Sequence, residues 1–235
     1  MALGLTDPYI LRIKTREIPL EVRRHPRARR ITLRFDGASG TLCLTLPRRA
    51  ALREGLDFAE QKADWILAKL EALPARVPFQ PGAVVPVLGE DHVIRHLPQA
   101  RRGVRRADGA IWDSGPSEHV ARRVAGFLKA EARRELSSRA GSKAATLGRP
   151  IGRIILRDMT SRWASCGEDG RLSFSWRLIL APEAVLDYVV AHEVAHLEEM
   201  NHGPHFWALA SRLTPEVAGP RRWLRRHGDG LLRYG

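Results

Sequence analysis

From Pro182 to Met200 the sequence has the spacing of a helix that is apolar nearly all the way round. Val185, Val189, His192 and His196 fall on one face, and Leu186, Val190 and Leu197 cover the neighbouring face. Such a helix has no solvent side, so other elements must pack around it. Residues four apart on a helix stand one above the other, so His192 and His196 aim their imidazoles at a common point. Two neutral imidazoles converging there make half of a tetrahedral Zn2+ site, with Glu193 beside them as a general base. A catalytic zinc takes a third protein ligand and keeps one position open for water. A core helix with two hydrogen-bonded histidines would carry the same residues.

Three residues compete for the third position. His202 follows His196 at the metzincin spacing, but position 199 is Glu rather than Gly and no Met follows for a Met-turn, so a metzincin is excluded. Asn201 tolerates the left-handed conformation that would end the helix and swing His202 back to the metal. His205 lies one turn into a helix that restarts at Gly203-Pro204. Glu216 would complete a His2Glu set.

The run Arg162-Trp163-Ala164-Ser165-Cys166, the stretch from Trp176 to Pro182, Asp187-Tyr188, the His-Glu-x-x-His motif and Asn201-His202-Gly203-Pro204-x-Phe206-Trp207 together resemble the YgjP-like family of zinc metallopeptidases, which is related to the SprT and WLM proteases. The similarity extends upstream to Arg23 through Arg30 and to Ala63-Asp64-Trp65-Ile66. The resemblance implies a zinc-dependent peptidase with a zincin-like minimal core, a small mixed sheet plus active-site helices. It selects His202 as the third ligand. One departure is Ala164, where the family usually has Gly; if that Gly takes a positive φ, Ala there would strain or reshape the loop.

At 235 residues and 44% hydrophobic, the chain can bury a substantial core as one domain, or as one domain with an elaborated N-terminal part. No apolar run approaches the roughly 18 residues that cross a bilayer, and the first eight residues do not make a secretory signal. Cys43 and Cys166 lie far apart, which argues for a reducing cytoplasm and leaves any zinc to the histidines. A net charge of +13 and a pI near 11.0 imply attraction to polyanions such as nucleic acid, nucleotide phosphates or acidic protein segments. A basic surface kept for solubility explains the same charge.

In chain order, Leu11 to Leu46 reads as short strands, with a hairpin turning through Asp36 to Gly40 and Leu42, Leu44 and Leu46 facing inward. The arginines from Arg23 to Arg34 fit a solvated strand face as well as a nucleic-acid contact. Leu52, Leu56, Ala59, Ala63, Ile66, Leu70 and Leu73 predict an amphipathic helix of about six turns, ended by Pro74. A second hairpin turns at Gly89, and a basic segment covers Arg101 to Arg106. A boundary near Ser114 to Ser117 divides a basic, β-rich N-terminal region with one long helix (1–114) from a zinc-binding catalytic domain (115–235).

From Glu118 a helix with Val120, Val124, Phe127 and Leu128 inward runs to just before Gly148. Strands follow at Ile151 to Leu156 and Arg171 to Trp176, flanking the loop Thr160 to Gly167. Helices are expected over Pro182 to Met200, Pro204 to Leu213 and Pro215 to His227. The fold class is α+β.

The expected chemistry is hydrolysis of a peptide bond: zinc acidifies water, and Glu193 takes the proton as that water attacks a carbonyl. Arg162, Tyr188 and His205 are candidates to steady the substrate or the oxyanion, although Arg162 could equally pair with Asp158 or Asp187. The Leu172 to Trp176 strand could offer its edge to an extended peptide. Cys166 reads as a loop residue packed against Trp163 rather than a reactive thiol. The substrate is then a protein or peptide, and the charge is compatible with one held on nucleic acid. Two other readings fit the same residues. One is a metal-dependent nucleotide phosphoanhydride hydrolase. The other is a nucleic-acid-binding protein whose zinc is structural, closed by both His202 and His205.

Overall fold

The computed structural model describes residues 9–36, 40–71, 75–100, 103–159 and 162–235. Gly37 to Ser39 of the expected turn, Leu73 and Pro74 at the helix end, Arg101-Arg102 and Thr160-Ser161 lie outside the described residues, as do the first eight. The chain forms two compact units, residues 1–74 and 75–235. Strands and helices mix throughout, so the class is α+β.

In the first unit, β1 (Tyr9–Ile13), β2 (Arg16–His25), β3 (Thr32–Asp36) and β4 (Thr41–Pro47) form a sheet in the order β1-β2-β4-β3. β2 and β4 run parallel, and the other pairs are antiparallel. Period-two alternation puts Leu11, Ile13, Ile18, Leu20, Leu42, Leu44 and Leu46 in the core. The arginines of β2 are exposed. Arg24 has a structural use: its guanidinium donates to the carbonyls of Pro47, Arg48 and Ala50.

The expected six-turn helix is two helices, α1 (Leu52–Gln61) and α2 (Ala63–Glu71). At Lys62 the N–H turns to the carbonyl of Ala59, three residues back, which interrupts the α-helical ladder. Ala59 and Ile66, one from each helix, both reach the core. Helix α1 lies so close to β4 that a Cβ at Gly55 would sit 2.6 Å from a methyl of Leu46.

The second unit opens with β5 (Val84–Val87), β6 (Glu90–His96), β7 (Arg105–Ala107) and β8 (Ala110–Asp113), ordered β5-β6-β8-β7. The β5–β6 hairpin turns on Leu88 (φ 53°) and Gly89 (φ 86°), both left-handed, as a two-residue primed turn requires. The turn docks on the approach to the helix that begins at Glu183. Leu88 N–H donates to Ile179 O at 2.7 Å, and a Cβ on Gly89 would stand 3.0 Å from Pro182 Cα.

Helix α3 (Val120–Leu147) buries Val120, Val124, Leu128, Ala132, Leu136, Ala140 and Ala144, a stripe repeating every four residues. It stops at Gly148, whose φ of 64° supplies the left-handed cap. Strands β9 (Ile154–Arg157), β10 (Ala164–Cys166) and β11 (Leu172–Ser175) form a small mixed sheet in the order β10-β11-β9. Ala164 sits in β10 without positive φ, so the change from Gly strains nothing there.

The strand expected through Trp176 ends one residue earlier, because Trp176–Leu180 is a 3-10 turn with all five side chains buried. Its Arg177 pairs with Asp158 at 2.9 Å and donates to the carbonyls of Leu231 and Tyr234, tying the C-terminal segment to the core. Helices α4 (Glu183–Ala195), α5 (Pro204–Leu213) and α6 (Ala218–Leu231) follow. Among the described residues no helix is long and apolar enough to cross a membrane.

The units divide at Pro74/Ala75, earlier than the break read near Ser114. The physical reason is a shared core: Val85, Val87, Ile94 and Ile111 of the second sheet join the cluster formed by α3 and α4. Asp113 at the end of β8 also receives two 2.7 Å hydrogen bonds from Arg123 of α3.

Candidate metal centre

Helix α4 is held in position from behind. Asp187 accepts from Lys143 and Arg139 of α3, at 2.9 and 3.5 Å, and from Thr214 Oγ at 2.8 Å. Lys143 also donates to the carbonyl of Leu213, after α5 has returned the chain. The opposite face of α4 carries the histidines. Its helical hydrogen bonding stops at Ala195, with His196 as the cap in right-handed geometry (φ −66°, ψ −15°). The chain then turns through residues 196–198. Asn201 does not adopt the expected left-handed conformation. The return of His202 comes instead from this turn and from the bond of Gly203 N–H to Asn201 O at 2.8 Å.

The result is a cluster of His192, His196 and His202, each offering one ring nitrogen, all within 4.8 Å of one another. His202 Nε2 and His192 Nε2 stand 3.0 Å apart. A tetrahedral ion with bonds near 2.0–2.1 Å to nitrogen spaces its ligand atoms by roughly 3.3 Å, so the separation suits zinc. Protonation suits it as well. Burial, followed by repulsion from His196, His202 and Arg221, pushes His192 down to about 4. Burial lowers His196 against the opposing effect of its bond to Glu199. Both rings are therefore neutral at pH 7, the ligating form.

His196 Nδ1–H donates to Glu199 O at 3.0 Å, which leaves its Nε2 free to ligate a metal. Trp207 Nε1–H donates to His202 O at 3.1 Å, and the buried ring of Phe206 lies 4.6–4.9 Å from all three imidazoles. Arg221 of α6 stacks over Trp207 at 5.2 Å. Phe206 and Trp207 belong to the sequence motif, but their contacts with the histidines depend on the fold. Arg221 had no local signal, since only the packing of α6 on α4 brings it near.

The rivals for the third position lie elsewhere. His205 is exposed, with Nδ1 3.8 Å from Glu199. Glu216 accepts the N–H of Gly219 at the start of α6. A zinc closed by both His202 and His205 is thus not the arrangement present.

Glu193 follows His192 and is 6% exposed. Burial pushes its carboxyl up to about 7, against the lowering effects of Arg162 and of the Cys166 N–H, which donates to it. The strand pattern explains that donor. Ser175 N–H bonds Trp163 O and Gly167 N–H bonds Arg171 O, so the alternate residues Ala164 and Cys166 turn their backbone groups away from β11. The edge expected of Leu172 to Trp176 is not free, because β11 is the central strand; β10 is the edge beside α4.

Arg162 forms neither expected bridge, since Asp158 pairs with Arg177 and Asp187 with Lys143 and Arg139. It is exposed and acts electrostatically on Glu193. Tyr188, one turn before His192, packs its ring 5.9 Å from that imidazole, and burial raises its hydroxyl. Trp163 lies against Gly228 of α6. Burial, then Glu193 and Asp169, raise the Cys166 thiol to about 11, and burial likewise raises Cys43. Iodoacetamide at pH 7.5 should therefore alkylate both far more slowly in the native than in the denatured protein, with the native rate rising toward pH 10. Rapid native labelling of Cys166, read by peptide mass, would contradict the assignment.

The family model described as "YgjP-like, metallopeptidase domain" matches residues 29–227. No curated protein and no solved structure matches the chain.

Proposed function

Because this chain belongs to the YgjP-like metallopeptidase family, we propose that it is a zinc-dependent peptidase with His192, His196 and His202 as ligands and Glu193 as general base. The observation that carries the reading is the convergence of three imidazole nitrogens within 4.8 Å, with the buried carboxylate of Glu193 following His192 on α4. A zinc ion held there would acidify water and polarise a carbonyl. The residues of the chain do the rest. Glu193, oriented by the Cys166 N–H, takes the proton from the attacking water and passes it to the leaving amine. Arg162 and Tyr188 flank the centre as donors toward the developing oxyanion. His205 Nδ1 instead faces Glu199 at 3.8 Å, so it is not preferred for that role.

An extended peptide would add to the sheet along β10, whose Ala164 N–H and C=O face outward, and so lie across Glu193. The net charge of +13 supports substrates that are themselves held on nucleic acid. These features together describe a zincin-like core.

The test is metal analysis combined with hydrolysis. Purified protein should carry one zinc per chain and cleave a casein-type substrate in preference to any member of a nucleotide panel. His202→Ala should lose the zinc, while His205→Ala and Glu216→Ala keep it. Absence of stoichiometric metal in the native protein, or hydrolysis confined to nucleotides, would remove the proposal.

A further inference from the structure

A cleft of 780 Å³ in the second unit is lined in part by Arg162 and Cys166, the two residues that act on Glu193. Leu172 and Phe174 point into the core, so Ser173 and its cross-strand partner Ser165 face the other way and line the cleft. Arg157, Arg162 and Arg171 surround it. The carboxylate in the lining, Asp158, is held at 2.9 Å by Arg177. Arg171 has a 3.7 Å contact with the exposed Asp169, and among the described residues Arg157 and Arg162 make no ion pair. Three guanidinium groups around one cleft repel each other, a repulsion that an incoming anion would relieve. Their field is focused where an anion would enter. The cleft connects to the chemistry through Arg162, which acts on Glu193, and through Cys166, whose N–H holds that carboxylate.

We infer that this cleft is a specificity subsite that takes a carboxylate of the peptide substrate through Arg157 and Arg171, with Arg162 adding positive charge on the side toward Glu193. The inference rests on the peptidase reading and adds the substrate class to it: acidic peptides. Arginine forks match carboxylates in paired hydrogen bonds, and the hydroxyls of Ser165 and Ser173 supply further donors. A nucleic-acid strand fits less well, because among the described residues no aromatic ring lines the cleft for a base to stack on. The carboxylate has two sources, an Asp or Glu side chain near the scissile bond or the free C-terminus of the substrate.

Quenched fluorogenic peptides in matched pairs separate these, with Glu replaced by Gln at each position around the cut and with free or amidated C-termini. The native enzyme should favour the carboxylate member of one pair at least tenfold in kcat/KM, and the pair that discriminates identifies the source. In Arg157→Ala/Arg171→Ala the ratio should fall toward one, and in Arg157→Glu/Arg171→Glu a Lys-containing peptide should become the better substrate. The ratio is read within each variant, so a general loss of activity does not affect it.

Binding provides a readout independent of turnover. Fluorescence anisotropy on zinc-loaded Glu193→Gln should give at least tenfold tighter binding of the acidic peptide than of its Gln partner, again dependent on Arg157 and Arg171. Cleavage without discrimination overturns this inference and leaves the peptidase reading intact. Arginine-dependent binding with no cleavage of any peptide does the reverse. Displacement of the acidic peptide by an oligonucleotide at equal charge concentration, more effectively than by unlabelled peptide, also overturns it.

Discussion

Glu193→Gln should lower peptide hydrolysis by roughly 10²–10⁴-fold while the protein keeps its zinc, because a positioned general base contributes about that much. Glu193 is not among the three imidazoles that converge, so the metal has no reason to leave. The amide retains the carbonyl oxygen that accepts the Cys166 N–H, and the local geometry survives. What disappears is the ability to take a proton. Binding of peptide should change little, so the loss should appear in kcat. The fold should not suffer either: the native carboxyl is buried and pushed up to about 7, and an uncharged amide is easier to bury there. Single-turnover kinetics, zinc content and a melting curve on the same preparation check all three. Full activity in the zinc-loaded variant would show that the proton goes elsewhere, and loss of zinc would make Glu193 a ligand.

The second large effect is on stability. Asp113 is completely buried at its side chain and accepts two 2.7 Å hydrogen bonds from Arg123 and one of 2.8 Å from His96. Burial alone would raise its carboxyl, but the bonds from Arg123 and His96 outweigh it and hold the group below the ordinary range. Asp113→Asn leaves the guanidinium without a charge partner. Breaking a buried pair costs about 3–5 kcal/mol, and we expect the lower end because Arg123 keeps some solvent contact. For a unit of this size that is roughly a 6–12 °C fall in melting temperature.

The pH dependence has a definite sign. A depressed carboxyl contributes stability that is fully present above its unfolded pKa and is lost as pH falls through the lower folded value. Native and variant proteins should therefore differ most near neutrality and converge below about pH 4. Replacing Arg123 by Met as well should recover part of the loss. A fall of less than 2 °C at pH 7 would mean that the pair does not hold β8 to α3.

The metal centre was legible in the sequence to different degrees. His192 and His196 are four apart on an apolar helix, and local periodicity alone brings them together. His202 lies beyond the helix end, so its return depends on turn geometry. Asn201 was expected to make that return by a left-handed residue, whereas the turn at 196–198 and the 2.8 Å bond of Gly203 to Asn201 make it. The 3-10 turn at Trp176 was missed for a related reason. Ser173 to Trp176 alternates well enough to read as strand throughout, and only burial of five consecutive side chains shows where the strand must stop.

By itself the sequence determined the helices with a regular stripe, the strands with clean alternation, the stop at Gly148 and the pairing of His192 with His196. All of these depend on neighbours within a turn or two, where backbone geometry is nearly invariant. Tertiary structure alone decided which strand kept a free edge, which acid took Arg177, and that Cys166 should present its N–H to Glu193. It also decided that Arg157, Arg162 and Arg171 should share one cleft. Those outcomes depend on register and on contacts between segments far apart in the chain, and a one-residue slip in strand pairing would turn every side chain to the opposite face.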